Sequence, residues 1–122
     1  MPTLTIEGHG TFEVEAGRRL VLAIEDQGVP IGHRCGGQAR CTTCRVELLA
    51  GEPERMTVAE RDKLAERELL GRVRLSCQCR VEGEMRVRPL MLVPEQGWSD
   101  PGPPPAADIE PPAEWVDAPW SA

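Results

Sequence analysis

Hydrophobic and polar residues alternate from the start of the chain. Leu4 and Ile6 sit between Thr3, Thr5 and Glu7, "GHG" interrupts, and Phe12 and Val14 resume the pattern among Thr11, Glu13 and Glu15. Alternation at period two on both sides of a glycine-rich turn predicts a β-hairpin, because successive side chains of a strand face opposite sides. Past Gly17 the period changes. In "RRLVLAIEDQG" Leu20, Ala23 and Ile24 share one face at helical spacing, and Gly28 stands where the helix would end. "CRVELL" predicts a strand with Val46 and Leu48 on one face. "TVAERDKLAERELL" predicts a helix over Val58 to Leu70, opened by a capping box in which Thr57 and Glu60 each satisfy an otherwise orphan amide. "RVRLSCQCRV" and "EMRVRPL" alternate again on either side of "EGE" and predict the closing strands. The order β, β, α, β, α, β, β predicts an α+β fold: a mixed sheet with a helix laid across it, since a parallel neighbour is reached only through a helix-sized crossover.

Composition divides the chain in two. Residues 94–122 hold eight of the 12 prolines, all 3 tryptophans and six acidic residues, with no lysine or arginine, so the net charge of -6 lies wholly there. Such a segment buries too little apolar surface to offset its ordering entropy. It is expected to be disordered or packed on the surface of the body, with Trp98, Trp115 and Trp120 as docking points. The body, residues 1–93, is charge-balanced and small enough that a bound metal centre would add to a marginal core. No apolar run approaches the ~18 residues of a membrane span. The N-terminus "MPTLTIEGHG" lacks the charged start and long apolar stretch of a secretory signal. The expected location is the cytoplasm, where clustered cysteines more often serve metal or redox chemistry than disulfides. A balanced body with an acidic tail argues against nucleic acid as a partner, and nothing points to membrane insertion.

Five cysteines carry the candidate chemistry. Cys35, Cys41 and Cys44 share one loop, "CGGQARCTTC", spaced C-x5-C-x2-C, while Cys77 and Cys79 arrive from a distant predicted strand. Four thiolates from one loop and one strand can hold a zinc ion or a 2Fe-2S cluster. Zinc sites usually present two similar C-x2-C knuckles around one ion, whereas a wide loop with three ligands suits a larger, asymmetric centre. Gly36 and Gly37 can take positive φ, making the loop amides from Gly36 to Thr43 candidate donors to sulfur. In a strand, residues 77 and 79 would face the same side roughly 6 to 7 Å apart, so only one fits a given coordination position.

"HRCGGQARCTTCRVEL" and "RLSCQ" resemble the cluster-binding signatures of 2Fe-2S ferredoxins with the β-grasp fold, and the five-residue first gap is similar to that of the adrenodoxin-like and bacterial members. The resemblance implies a 2Fe-2S cluster held by Cys35, Cys41, Cys44 and Cys77. It also implies a one-electron carrier, not itself an enzyme. Such a carrier runs as a monomer between a flavin-containing ferredoxin reductase and an acceptor such as a haem monooxygenase, a ring hydroxylase or iron–sulfur assembly machinery. Two other readings stand beside it: a zinc-stabilised binding module and a cluster-based redox sensor.

Three features depart from the family pattern. Cys79 is additional, the second helix mixes Glu60, Asp62, Glu66 and Glu68 with Arg61, Lys63 and Arg67, and the Pro-Trp tail has no counterpart in the family core. The charges of that helix are expected to form a solvated face. Arg34, Arg40 and Arg45 flank the loop and could favour a reduced centre, though exposed charges are strongly screened. His33 is expected to be a loop histidine, since a Rieske centre needs two histidines in place of two cysteines. His9 falls in the hairpin turn.

Overall fold

The computed structural model describes residues 1–118, so Trp120 lies outside the described residues. Its elements run β1 (Thr3–Ile6), β2 (Gly10–Glu13), β3 (Arg18–Arg19), α1 (Leu20–Asp26), β4 (Arg45–Ala50), β5 (Arg55–Thr57), α2 (Val58–Glu66), β6 (Arg74–Leu75), a 3-10 turn (Ser76–Gln78), β7 (Arg80–Val81), β8 (Met85–Pro89), α3 (Val93–Gln96) and β9 (Trp115–Asp117). The main sheet has the order β2-β1-β8-β4-β6. β1 and β2 form the expected hairpin, with Leu4 opposite Phe12, and β1 lies parallel to β8. β4 is antiparallel to both β8 and β6. This is the mixed α+β sheet that the alternation predicts.

The core follows from the same patterns. Leu4 and Ile6 of β1, Val46 of β4 and Val87 of β8 are buried with Leu20, Val21, Ala23 and Ile24 of α1 in one cluster. Inward apolar residues of a half-buried sheet thus meet the apolar stripe of an amphipathic helix.

Two expected elements change shape. α2 stops at Glu66, and Glu68 takes a left-handed conformation with φ 59 that ends the helix short of Leu70. The closing strand over 72–81 is broken at Ser76, whose backbone amide and Oγ both donate to the Cys44 carbonyl, at 3.2 and 2.7 Å. That tether turns the chain into a 3-10 turn, so Cys77 and Cys79 are not neighbours on one face of a strand.

Of the two forms expected for the tail, its described part takes the packed one. β9 pairs antiparallel with β5, and Ile109 and Ala118 are buried. Disorder gives way because the body offers donors that the tail carbonyls satisfy: the His33 amide bonds Pro101 O, the Val58 amide bonds Glu114 O, and Gln78 Nε2 bonds Glu110 O at 2.7 Å. Arg34 stacks over Trp98 and Arg80 over Trp115, with 5.3 and 5.6 Å to the ring centres.

Candidate metal centre

The loop after α1 brings its three cysteines to the turn that follows β6. The thiols lie close enough to influence one another as two pairs, Cys35 with Cys41 and Cys44 with Cys77. The first pair is half-buried; the second is buried. Among the described residues no three His, Cys, Asp or Glu side chains converge as the donors of a single ion must.

Glycine and backbone amides shape the loop as expected. Gly36 and Gly37 have φ +75 and +78, and a Cβ on Gly37 would lie 2.9 Å from both Arg19 and Pro105. The Gln38 amide donates to Cys35 Sγ at 3.3 Å. Contact with the Cys41 thiol, joined by the amides of Arg40, Gln38 and Cys41, lowers the Cys35 thiol to about 4 against the opposing effect of burial. The same contact raises Cys41, whose sulfur also meets Thr43 Oγ1 at 3.2 Å. Contact with Cys77 and then burial raise Cys44. The Cys35–Cys41 pair thus favours one anionic sulfur, at Cys35.

A buried polar frame, missed in the sequence pattern, fixes the 3-10 turn. Glu60 of α2 is fully buried rather than solvated, accepting from Arg74 Nε at 2.8 Å, Arg74 Nη2 at 3.1 Å and the Leu75 amide at 2.8 Å. Only half of the predicted capping box forms: Thr57 Oγ1 accepts from the Glu60 amide, but the carboxylate is spent on Arg74 and Leu75. Thr57 Oγ1 in turn donates to Gln78 Oε1 at 2.7 Å, in the turn that carries Cys77. The rest of the α2 face behaves as expected, with Lys63 on Glu66 and Arg61 on Asp62 at the surface.

The other candidates are dispersed. Cys79 is buried and burial raises its thiol; it lines a cavity of about 360 Å³ with Met85 and Trp115. Arg45 bonds Thr42, Arg34 bonds the Asp100 carbonyl, and Arg40 is exposed. His33 is a buried loop residue with Nε2 2.7 Å from Glu25 Oε2. His9 is exposed in the hairpin turn.

Residues 4–82 match the 2Fe-2S iron-sulfur cluster binding domain. The chain belongs to that family. Its cofactor is a 2Fe-2S cluster, and the chemistry of the donor set fits: two pairs of thiols suit two irons. Over 75 residues this ferredoxin domain is 36% identical to one subunit of the Na(+)-translocating NADH-quinone reductase of Chlamydia pneumoniae, covering 62% of this chain and 17% of that one. Against the corresponding reductase subunit of Methylococcus capsulatus it is 34% identical over 82 residues, 67% of this chain and 20% of that one. The chain thus spans about a fifth of the length of these relatives. Among solved structures, the ISC-like 2Fe-2S ferredoxin FdxB of Pseudomonas putida superposes with TM-score 0.59 at 26% identity, covering 72% of this chain and 91% of that one. The Amycolatopsis cytochrome P450 reductase GcoB superposes with TM-score 0.58 at 26% identity, over 74% of this chain and 26% of that one. Among the described residues no helix is long and apolar enough to cross a membrane.

Proposed function

We propose that this 2Fe-2S domain is a one-electron carrier whose cluster is held by Cys35 and Cys41 on one iron and Cys44 and Cys77 on the other. The observation that carries the reading is that the cysteine loop and the Cys77 turn are tied together through the Ser76 bonds to Cys44 O. When bound, the cluster supplies reversible storage of one electron without bond chemistry. The chain supplies the rest: loop amides stabilise sulfur charge, Ser76 and Gln78 hold the Cys77 turn, and the half-buried Cys35–Cys41 rim leaves an approach for a partner. Residues 1–93 form the carrier and residues 94–122 an accessory segment. It works in the cytoplasm and is not an enzyme by itself. Its donor is a ferredoxin reductase and its acceptor a monooxygenase, a ring hydroxylase or an assembly system. The solved relatives that join such a domain to a reductase, GcoB among them, support this placement.

The test is reduction of the full chain by a flavin-containing ferredoxin reductase, followed by visible absorption, with a haem protein as acceptor. Bleaching followed by recovery on addition of the acceptor is expected. A cluster that is reduced but passes no electron onward overturns the carrier assignment.

A further inference from the structure

We propose that the buried guanidinium of Arg19 is the counter-charge of the iron–sulfur cluster and raises its reduction potential. The inference rests on the proposed ligand set. Arg19 stands just before α1, fully buried, while its neighbour Arg18 pairs with Asp26 at the surface. All five of its N–H bonds are used. Nε and Nη2 donate to the Cys77 carbonyl at 3.1 and 2.7 Å, Nη2 to Gly37 O at 2.6 Å, and Nη1 to Ala106 O and Asp108 O at 2.7 and 3.1 Å.

Every one of these acceptors is a neutral carbonyl. Among the described residues no carboxylate forms an ion pair with Arg19, in contrast to Arg74, the other fully buried arginine, which has Glu60. Carbonyls satisfy the donors but do not neutralise the charge, and a buried unneutralised cation is costly. The guanidinium joins the backbone of a proposed ligand, Cys77, to that of the glycine pair in the cluster loop. The group that this site is built to hold is an anion that gains one further negative charge on reduction. A fixed cation out of water, shielded from salt, favours that reduced state more than the exposed Arg34 and Arg40 can.

The competing explanation is mechanical: arginine offers five donors and merely ties loop, turn and tail together. Lysine separates the two, because it keeps the charge while supplying only three donors. The experiment is a dithionite titration of full-length holoprotein, read by visible absorption against redox dyes, on wild type, Arg19→Lys and Arg19→Gln. Arg19→Gln is expected to lower the potential by at least tenfold in the one-electron equilibrium, about 59 mV, or to lose the cluster outright. Arg19→Lys is expected to keep the cluster with a potential near that of wild type. A wild-type potential in Arg19→Gln overturns the proposal, as does an equal shift or equal cluster loss in both variants. The absorption of the wild type separates the outcomes: if it carries no cluster the ligand assignment fails, whereas a loaded wild type with an indifferent Arg19→Gln sinks only the role of Arg19.

Discussion

Cys77 and Cys79 lie two residues apart and are both buried, yet they face different company. Cys77 sits in the 3-10 turn against Cys44, whereas Cys79 lies beyond it and lines a separate cavity. Cys77→Ser is therefore expected to abolish the native visible spectrum and Cys79→Ser to preserve it; the reverse pattern would show that Cys79 is the ligand. A second residue-scale prediction concerns Glu60. Its removal takes from the buried Arg74 the carboxylate it bonds through Nε and Nη2, while Glu52 stands 3.4 Å from Nη1, so Glu60→Ala should cost about 3–5 kcal/mol in urea unfolding of the holoprotein. A loss within the scatter of surface substitutions would refute a structural role for the pair. The loop cysteines are legible in the sequence because their spacing is local. Arg19 and Glu60 are not, because a charge looks solvated until its partners are known, and those of Arg19 lie 18 to 89 positions away in the chain.

The hairpin, α1 and β4 are legible as elements because each buries one face, and burial on one face writes its period into the sequence. The segment around Cys77 is not, since its apolar alternation continues through a point where Ser76 hydrogen bonds to Cys44 O redirect the backbone. α2 is legible at its start, through Thr57, but not at its end. Thr57 also couples this helix to the turn that carries Cys77, through Gln78. Thr57→Ala removes the N-cap acceptor and strands the buried Gln78 Oε1, which together should cost about 2 kcal/mol. Thermal melts of the holoprotein check the value, and Thr57→Ser, which keeps both bonds, should stay close to wild type. Equal losses in the two variants would assign the effect to packing of the methyl group instead.

At the scale of the molecule the tail closes around the ferredoxin domain, bonding His33, Arg19, Gln78 and Val58 in turn before β9 joins β5. Composition shows a separate segment but not this path, because the bonds use tail carbonyls, which any sequence provides. Truncation after Pro94 should leave the spectrum intact, as the family match ends at residue 82. It should also lower the melting temperature, by roughly 8–16 °C if the lost bonds and burial amount to ~2 kcal/mol. Loss of the cluster on truncation would make the tail part of the site. The central claim is that the four paired thiols hold a one-electron 2Fe-2S centre. Its most direct test is a reductive titration of the full chain followed by electron paramagnetic resonance, with iron and sulfide assayed on the same sample. A brown-red, silent oxidised protein that takes up one electron per two irons and becomes paramagnetic is the predicted result; a colourless chain holding a single zinc ion at the same cysteines would contradict it.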